Sequence, residues 1–99
     1  MPGIKQNLNC PRRMVVFAVF DIIDQLGGAY EPSMAGDIQA TIQVLGKLSR
    51  YAFAVTALTS ETSILHISLL QPLAQLTEAE KQLALRYLLD CILYHMEEA

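Results

Sequence analysis

Residues 34–58 read MAGDIQATIQVLGKLSRYAFAVTAL, and the period assigned to their apolar side chains decides the fold. Met34, Ile38, Ile42, Leu45, Leu48, Ala52 and Val55 recur at spacings of three and four, which describes one stripe of an amphipathic helix. Gln39, Gln43, Gly46, Lys47 and Arg50 then form the wet side. On this reading Gly46 costs the helix interior about 1 kcal/mol against alanine and marks a close helix crossing. Ser33 is placed to cap the helix, and Asp37 suits its positive end. From Tyr51 to Leu58 the wet side fades, which implies burial on several faces.

Working back toward the N-terminus, AYEPS (29–33) reads as a loop, and Gly27-Gly28 closes the segment RRMVVFAVFDIIDQL (12–26). Its valines and phenylalanines are compatible with a buried strand, but fifteen residues without a turn signal favour helix. Pro11 suits the first turn. On a helical wheel Arg13, Asp21 and Asp24 share one side, with Phe17 among them and Met14 at their edge. An aromatic ringed by charges has the look of an interface anchor. Residues 1–10 hold Pro, Gly and Asn without periodicity and read as a flexible arm, whose Ile4 and Leu8 could dock on a partner.

Toward the C-terminus, TSETS (59–63) is a break. SILHISLLQ (63–71) lacks a clean alternation, and Ile64, Ile67 and Leu70 favour a short helix. PLAQL (72–76) is a connector or a single turn. Thr77 and Glu80 then form a T-x-x-E capping box ahead of a helix running from Glu78 to about Met96. Its polar strip holds Gln82, Arg86, Asp90 and Glu97, with Leu93 inside it. The remainder is apolar: one seam of Leu85, Leu89, Ile92 and Met96, a second of Ala84, Tyr87, Cys91 and Tyr94, and Leu88 between them.

Together these elements predict an all-α fold: residues 11–99 as a single helical domain of three or four helices with the last one central. Hydrophobic residues make up 53% of the chain and charged residues 17%, below the roughly 25% of an ordinary soluble domain. A 99-residue domain has little interior to absorb that excess. An intertwined or side-by-side homodimer is therefore expected, with Met14, Phe17, Leu85, Tyr87, Leu89, Ile92, Leu93, Tyr94 and Met96 as the candidate interface, toward a second copy or another protein.

Charge and motif narrow the function. The net charge is −3 and the seven basic residues are scattered, which argues against nucleic acid. A helix-turn-helix over 63–96 would turn Glu78 and Glu80 toward phosphates. The longest run without a charge, Thr62–Thr77, is too short to cross a membrane. Two cysteines make no disulfide framework and fit a reduced, cytoplasmic protein. Cys10, His66, Cys91 and His95 are zinc-ligand types, but without the paired spacing of a zinc site, so no metal or cofactor is expected. No nucleophile or paired-carboxylate pattern points to an enzyme. What remains is a small non-catalytic protein-binding regulator (inhibitor, anti-activator or adaptor), with the size and acidity of small bacterial or phage regulators. A small-molecule or lipid carrier with an apolar pocket, and a DNA-binding transcriptional regulator, are the alternatives.

Overall fold

A computed structural model describes residues 3–32, 37–72 and 75–98. It is an α+β fold, not a helical bundle. The elements run β1 (Gly3–Leu8), α1 (Arg12–Gln25), β2 (Ala29–Pro32), β3 (Ile38–Val44), β4 (Lys47–Ala57), β5 (Ser63–Pro72) and α2 (Glu78–Glu98). The five strands form one antiparallel sheet in the order β1-β5-β4-β3-β2. Both helices lie on the same face of it.

The stretch that decides the fold is a β-hairpin. Ile38, Ala40, Ile42 and Val44 are buried, while Gln39, Thr41 and Gln43 point the other way. Leu45 and Leu48, central to the expected helical stripe, are 59% and 44% exposed. A spacing of four satisfies both a helix and a strand, so Ile38 and Ile42 cannot discriminate; Ala40 and Val44 on one side and Leu45 and Leu48 on the other can. Leu45 and Gly46 are the two turn residues between Val44 and Lys47, both with positive φ (54° and 81°), which is the type I′ geometry that matches strand twist. Gly46 is thus a turn residue, not a helix crossing. Ser33 and Met34, the expected cap and first member of the stripe, lie outside the described residues. So do residues 1 and 2 of the expected arm and 73 and 74 of the expected connector.

Three further expectations change with it. Gly3–Leu8 is no loose arm but an edge strand paired along its length with β5. Ala29–Pro32, expected as a loop, pairs with β3. SILHISLLQ is strand β5, not a short helix: Ser63, Leu65, Ile67 and Leu69 are buried beneath the helices. Its alternation is masked because Ile64 and Leu70 on the opposite face are also apolar. Leu70 has no opposite number, since the register with β4 slips between Arg50 and Tyr51.

The two helices form as their sequences suggest. Pro11 is the N-cap of α1 and accepts the Met14 amide at 3.1 Å. At its other end Gly27 (φ 70°) donates to Asp24 O and Gly28 to Ile23 O, a Schellman closure. A Cβ on Gly28 would come within 3.0–3.1 Å of Ile42, Ile23 and the Thr41 carbonyl, so a glycine there lets α1 turn directly into the sheet. At the start of α2 the capping box closes as expected: the Thr77 amide donates to Glu80 Oε1 at 2.9 Å and the Glu80 amide to Thr77 Oγ1 at 3.1 Å. Val15, Val19, Ile22 and Ile23 of α1 and Leu85, Leu88, Leu89 and Ile92 of α2 then pack on Tyr51, Phe53, Leu65, Ile67 and Leu69 of the sheet.

Leu85, Leu88, Leu89 and Ile92 of α2 are therefore covered within this chain's own fold, while Met96 of the same seam is only partly buried.

Candidate functional site: a groove between the two helices

α1 and α2 run antiparallel across the sheet, and their outer sides enclose a shallow groove. At one end Met14, Phe17, Ala18 and Asp21 of α1 meet His95 and Met96 of α2 around a depression of about 180 Å³. It continues as a wider hollow of about 350 Å³ lined by Ile22, Gln25 and Leu26 against Tyr87, Cys91 and Tyr94. His95 lines both, and its Nε2 stands 3.0 Å from Asp21 Oδ2, tying the helices across the groove.

The walls are largely apolar and open. Phe17 and Tyr94 are each 66% exposed, and Met14 is 50% exposed. The helical repeat explains why. Val15, Ala18, Val19, Ile22 and Ile23 take the sheet-facing side of α1, leaving Phe17 on the far side among Arg13, Asp21 and Asp24. In α2, Leu85, Leu88, Leu89 and Ile92 take the sheet, leaving Leu83, Tyr87 and Tyr94 outside.

The candidate interface residues divide accordingly. Met14, Phe17, Tyr87, Tyr94 and the half-buried Met96 are brought together along the groove. Leu85, Leu89 and Ile92 are core, with at most 1% of their surface open. Leu93 is half-buried against the same core. Residues outside the sequence-derived set also contribute: Asp21 and His95 bridge the groove, and Gln25 and Leu26 extend it. The Asp21–His95 contact joins positions 74 apart, and only the antiparallel packing of the two helices reveals it.

The chemistry of the groove is muted. The Cys91 thiol, one turn from Tyr87, pushes that phenol above its ordinary value. Cys10 sits beside Met96, sulfur to sulfur at 3.9 Å, and burial raises its thiol as well. Among the described residues no three His, Cys, Asp or Glu side chains gather where they could hold a metal ion. His66 lies on the uncovered face of the sheet, away from His95, Cys91 and Cys10.

Two other surfaces bear comparison. On the uncovered sheet face Arg50 donates to Glu31 at 2.7 Å and Gln39 at 2.9 Å, so its charge is already engaged. Near the start of α2, Val44, Leu45, Leu76, Leu83 and Ala84 line an apolar pocket of about 130 Å³, bordered by Lys47 and Glu80. That pair lies 2.7 Å apart and, with the Thr77 amide, holds the Glu80 carboxyl down at about 2. Ligand sites usually span roughly 300–1,000 Å³, so this pocket is the size of one side chain and not of a lipid. Among the described residues no helix is long and apolar enough to cross a membrane.

Comparison of the chain with protein families, curated proteins and solved structures returned no match. The groove's own geometry therefore carries the functional reading.

Proposed function

We propose that the chain is a non-catalytic protein-binding regulator that engages its target through the outer face of α1 and α2. One observation carries this reading. A small domain leaves Phe17, Tyr94, Met14, Leu83 and Tyr87 open on the outer side of its two helices. Met14 and Phe17 share one depression and Tyr87 and Tyr94 the adjoining one, and exposed apolar surface of this kind marks sites of association. Aromatic anchors with a charged surround are the composition that concentrates binding energy. A regulator of this type acts as an inhibitor, anti-activator or adaptor by covering an apolar surface that its target uses for its own assembly.

The test is a photo-crosslinking side chain in place of Phe17, irradiated inside the native host. A discrete crosslinked protein is expected, absent when the same group replaces Gln43 on the uncovered sheet face. Equal labelling from both positions, or none from Phe17, would reject the reading.

A further inference from the structure

At the end of the groove where α1 begins and α2 finishes, four side chains with soft donor atoms come together. Cys10 lies between β1 and α1, and Met14 follows in the first turn of α1. His95 and Met96 belong to the last turn of α2. Cys10 Sγ and Met96 Sδ stand 3.9 Å apart. Two sulfurs that share one three- or four-coordinate metal at a bond length of about 2.3 Å lie about 3.8–4.0 Å from each other. Met14 and His95 line the same depression as Met96, and the three rotatable bonds of a methionine let its sulfur swing to a common point. The Cys10 backbone is anchored, because its carbonyl accepts the Ser63 hydroxyl at 2.9 Å. A second observation concerns His95. Its Nε2 is 3.0 Å from Asp21 Oδ2. An ionised carboxylate can only accept, so Nε2 carries the hydrogen and the free lone pair of the neutral ring is on Nδ1. A histidine held by a carboxylate through one nitrogen, with the other left over, is the usual arrangement of a metal ligand.

We propose that Cys10, Met14, His95 and Met96 form a Cu(I) site, with Asp21 as the positioning residue behind His95. The donor set selects the ion. Zinc takes thiolate, imidazole and carboxylate, and magnesium and calcium take oxygen, whereas thioethers suit Cu(I). One thiol, two thioethers and one imidazole therefore favour Cu(I), and two of the four donors are methionines, which a search for zinc-type ligands passes over. On binding, the Sγ–H bond of Cys10 breaks as the Sγ–Cu bond forms, and the proton leaves to solvent. The copper enters and stays as Cu(I), so no electron is transferred. The site uses only this chain's own side chains and stands apart from the reading of the groove as protein-binding.

Anaerobic titration of the full chain into the coloured Cu(I)–bicinchoninate complex tests the site. Withdrawal of one Cu(I) per 11.0 kDa chain is expected, and added Zn²⁺ should not displace it. Met14→Leu and Met96→Leu exchange sulfur for carbon at nearly constant volume, which keeps the fold. Together they should weaken binding at least roughly tenfold. Cys10→Ser should abolish the transfer. Asp21→Asn leaves all four donors in place and should weaken binding roughly 10- to 100-fold through His95 alone. Cys91→Ala removes the chain's second cysteine and should leave both stoichiometry and affinity unchanged. No transfer to the wild-type chain, transfer undiminished in the Met14→Leu/Met96→Leu double variant or in Asp21→Asn, or transfer lost in Cys91→Ala would overturn the proposal.

Discussion

Two sides of α2, cut from the same run of apolar residues, have opposite fates. Leu85, Leu88, Leu89 and Ile92 are sealed against the sheet, whereas Leu83, Tyr87 and Tyr94 look outward beside α1. Hydropathy alone cannot separate them, because leucine and tyrosine occur on the outer side as readily as leucine and isoleucine on the inner. The separation is made by what the sheet can cover. Five strands give α2 one surface to lie on, so one seam folds the chain and the other stays exposed.

The sharpest way to break this contrast is to truncate one residue from each side. Leu89→Ala opens a cavity under α2 and should cost about 2–5 kcal/mol in urea denaturation. Tyr94→Ser, one helical face away, should change the unfolding free energy of dilute protein by no more than about 0.5 kcal/mol. Its effect should appear in association instead.

The hairpin offers the next contrast, and its sign is decisive. In a helix interior Gly46→Ala would stabilise by about 1 kcal/mol. In the observed turn, with φ at 81°, it should destabilise by about 1 kcal/mol. Leu45→Asn should act the other way, because asparagine before glycine is favoured in a type I′ turn; a gain of up to ~1 kcal/mol in thermal or urea unfolding is expected. Thr77→Ala removes half of the capping box and should lower stability by about 1 kcal/mol, mostly as fraying of the first turn of α2 visible by hydrogen exchange.

The smallest effect concerns pH. Glu80 has a folded pKa near 2, below its ordinary value of 4.5, because Lys47 and the Thr77 amide favour the carboxylate. Its contribution is therefore complete above pH ~4.5 and fades as pH falls toward 2. Wild-type protein should lose more stability across that interval than Glu80→Gln does. Equal acid sensitivity would show that the Lys47–Glu80 contact adds nothing.

Local signals reported the helices well. Pro11, Gly27-Gly28 and the Thr77–Glu80 box mark ends that tertiary packing does not need to supply, and both helices lie where those residues place them. The sheet was hidden for a different reason. In β3 the apolar residues at 38 and 42 satisfy both periods, and the turn that breaks the stretch carries a leucine where asparagine or aspartate would announce it. In β5 both faces hold apolar side chains, so alternation is lost. In β1 the strand is legible only through its partner, since GIKQNL has no pattern until β5 lies beside it. The groove was half legible. Phe17 and Met14 stand out as apolar residues on a charged side, and Tyr87 and Tyr94 as a seam. Which seam stays open depends on the sheet, and the Asp21–His95 bridge depends on the packing of helices distant in sequence.

The central claim is that the inner seam of α2 holds the fold and the outer seam serves association. Urea denaturation of Leu89→Ala and Tyr94→Ser beside wild type, at a concentration where the chain is monomeric, tests it most directly. A large loss of stability for Leu89→Ala and almost none for Tyr94→Ser is the expected result. Equal losses would mean that Tyr94 belongs to the core, and the division of α2 into two functions would be contradicted.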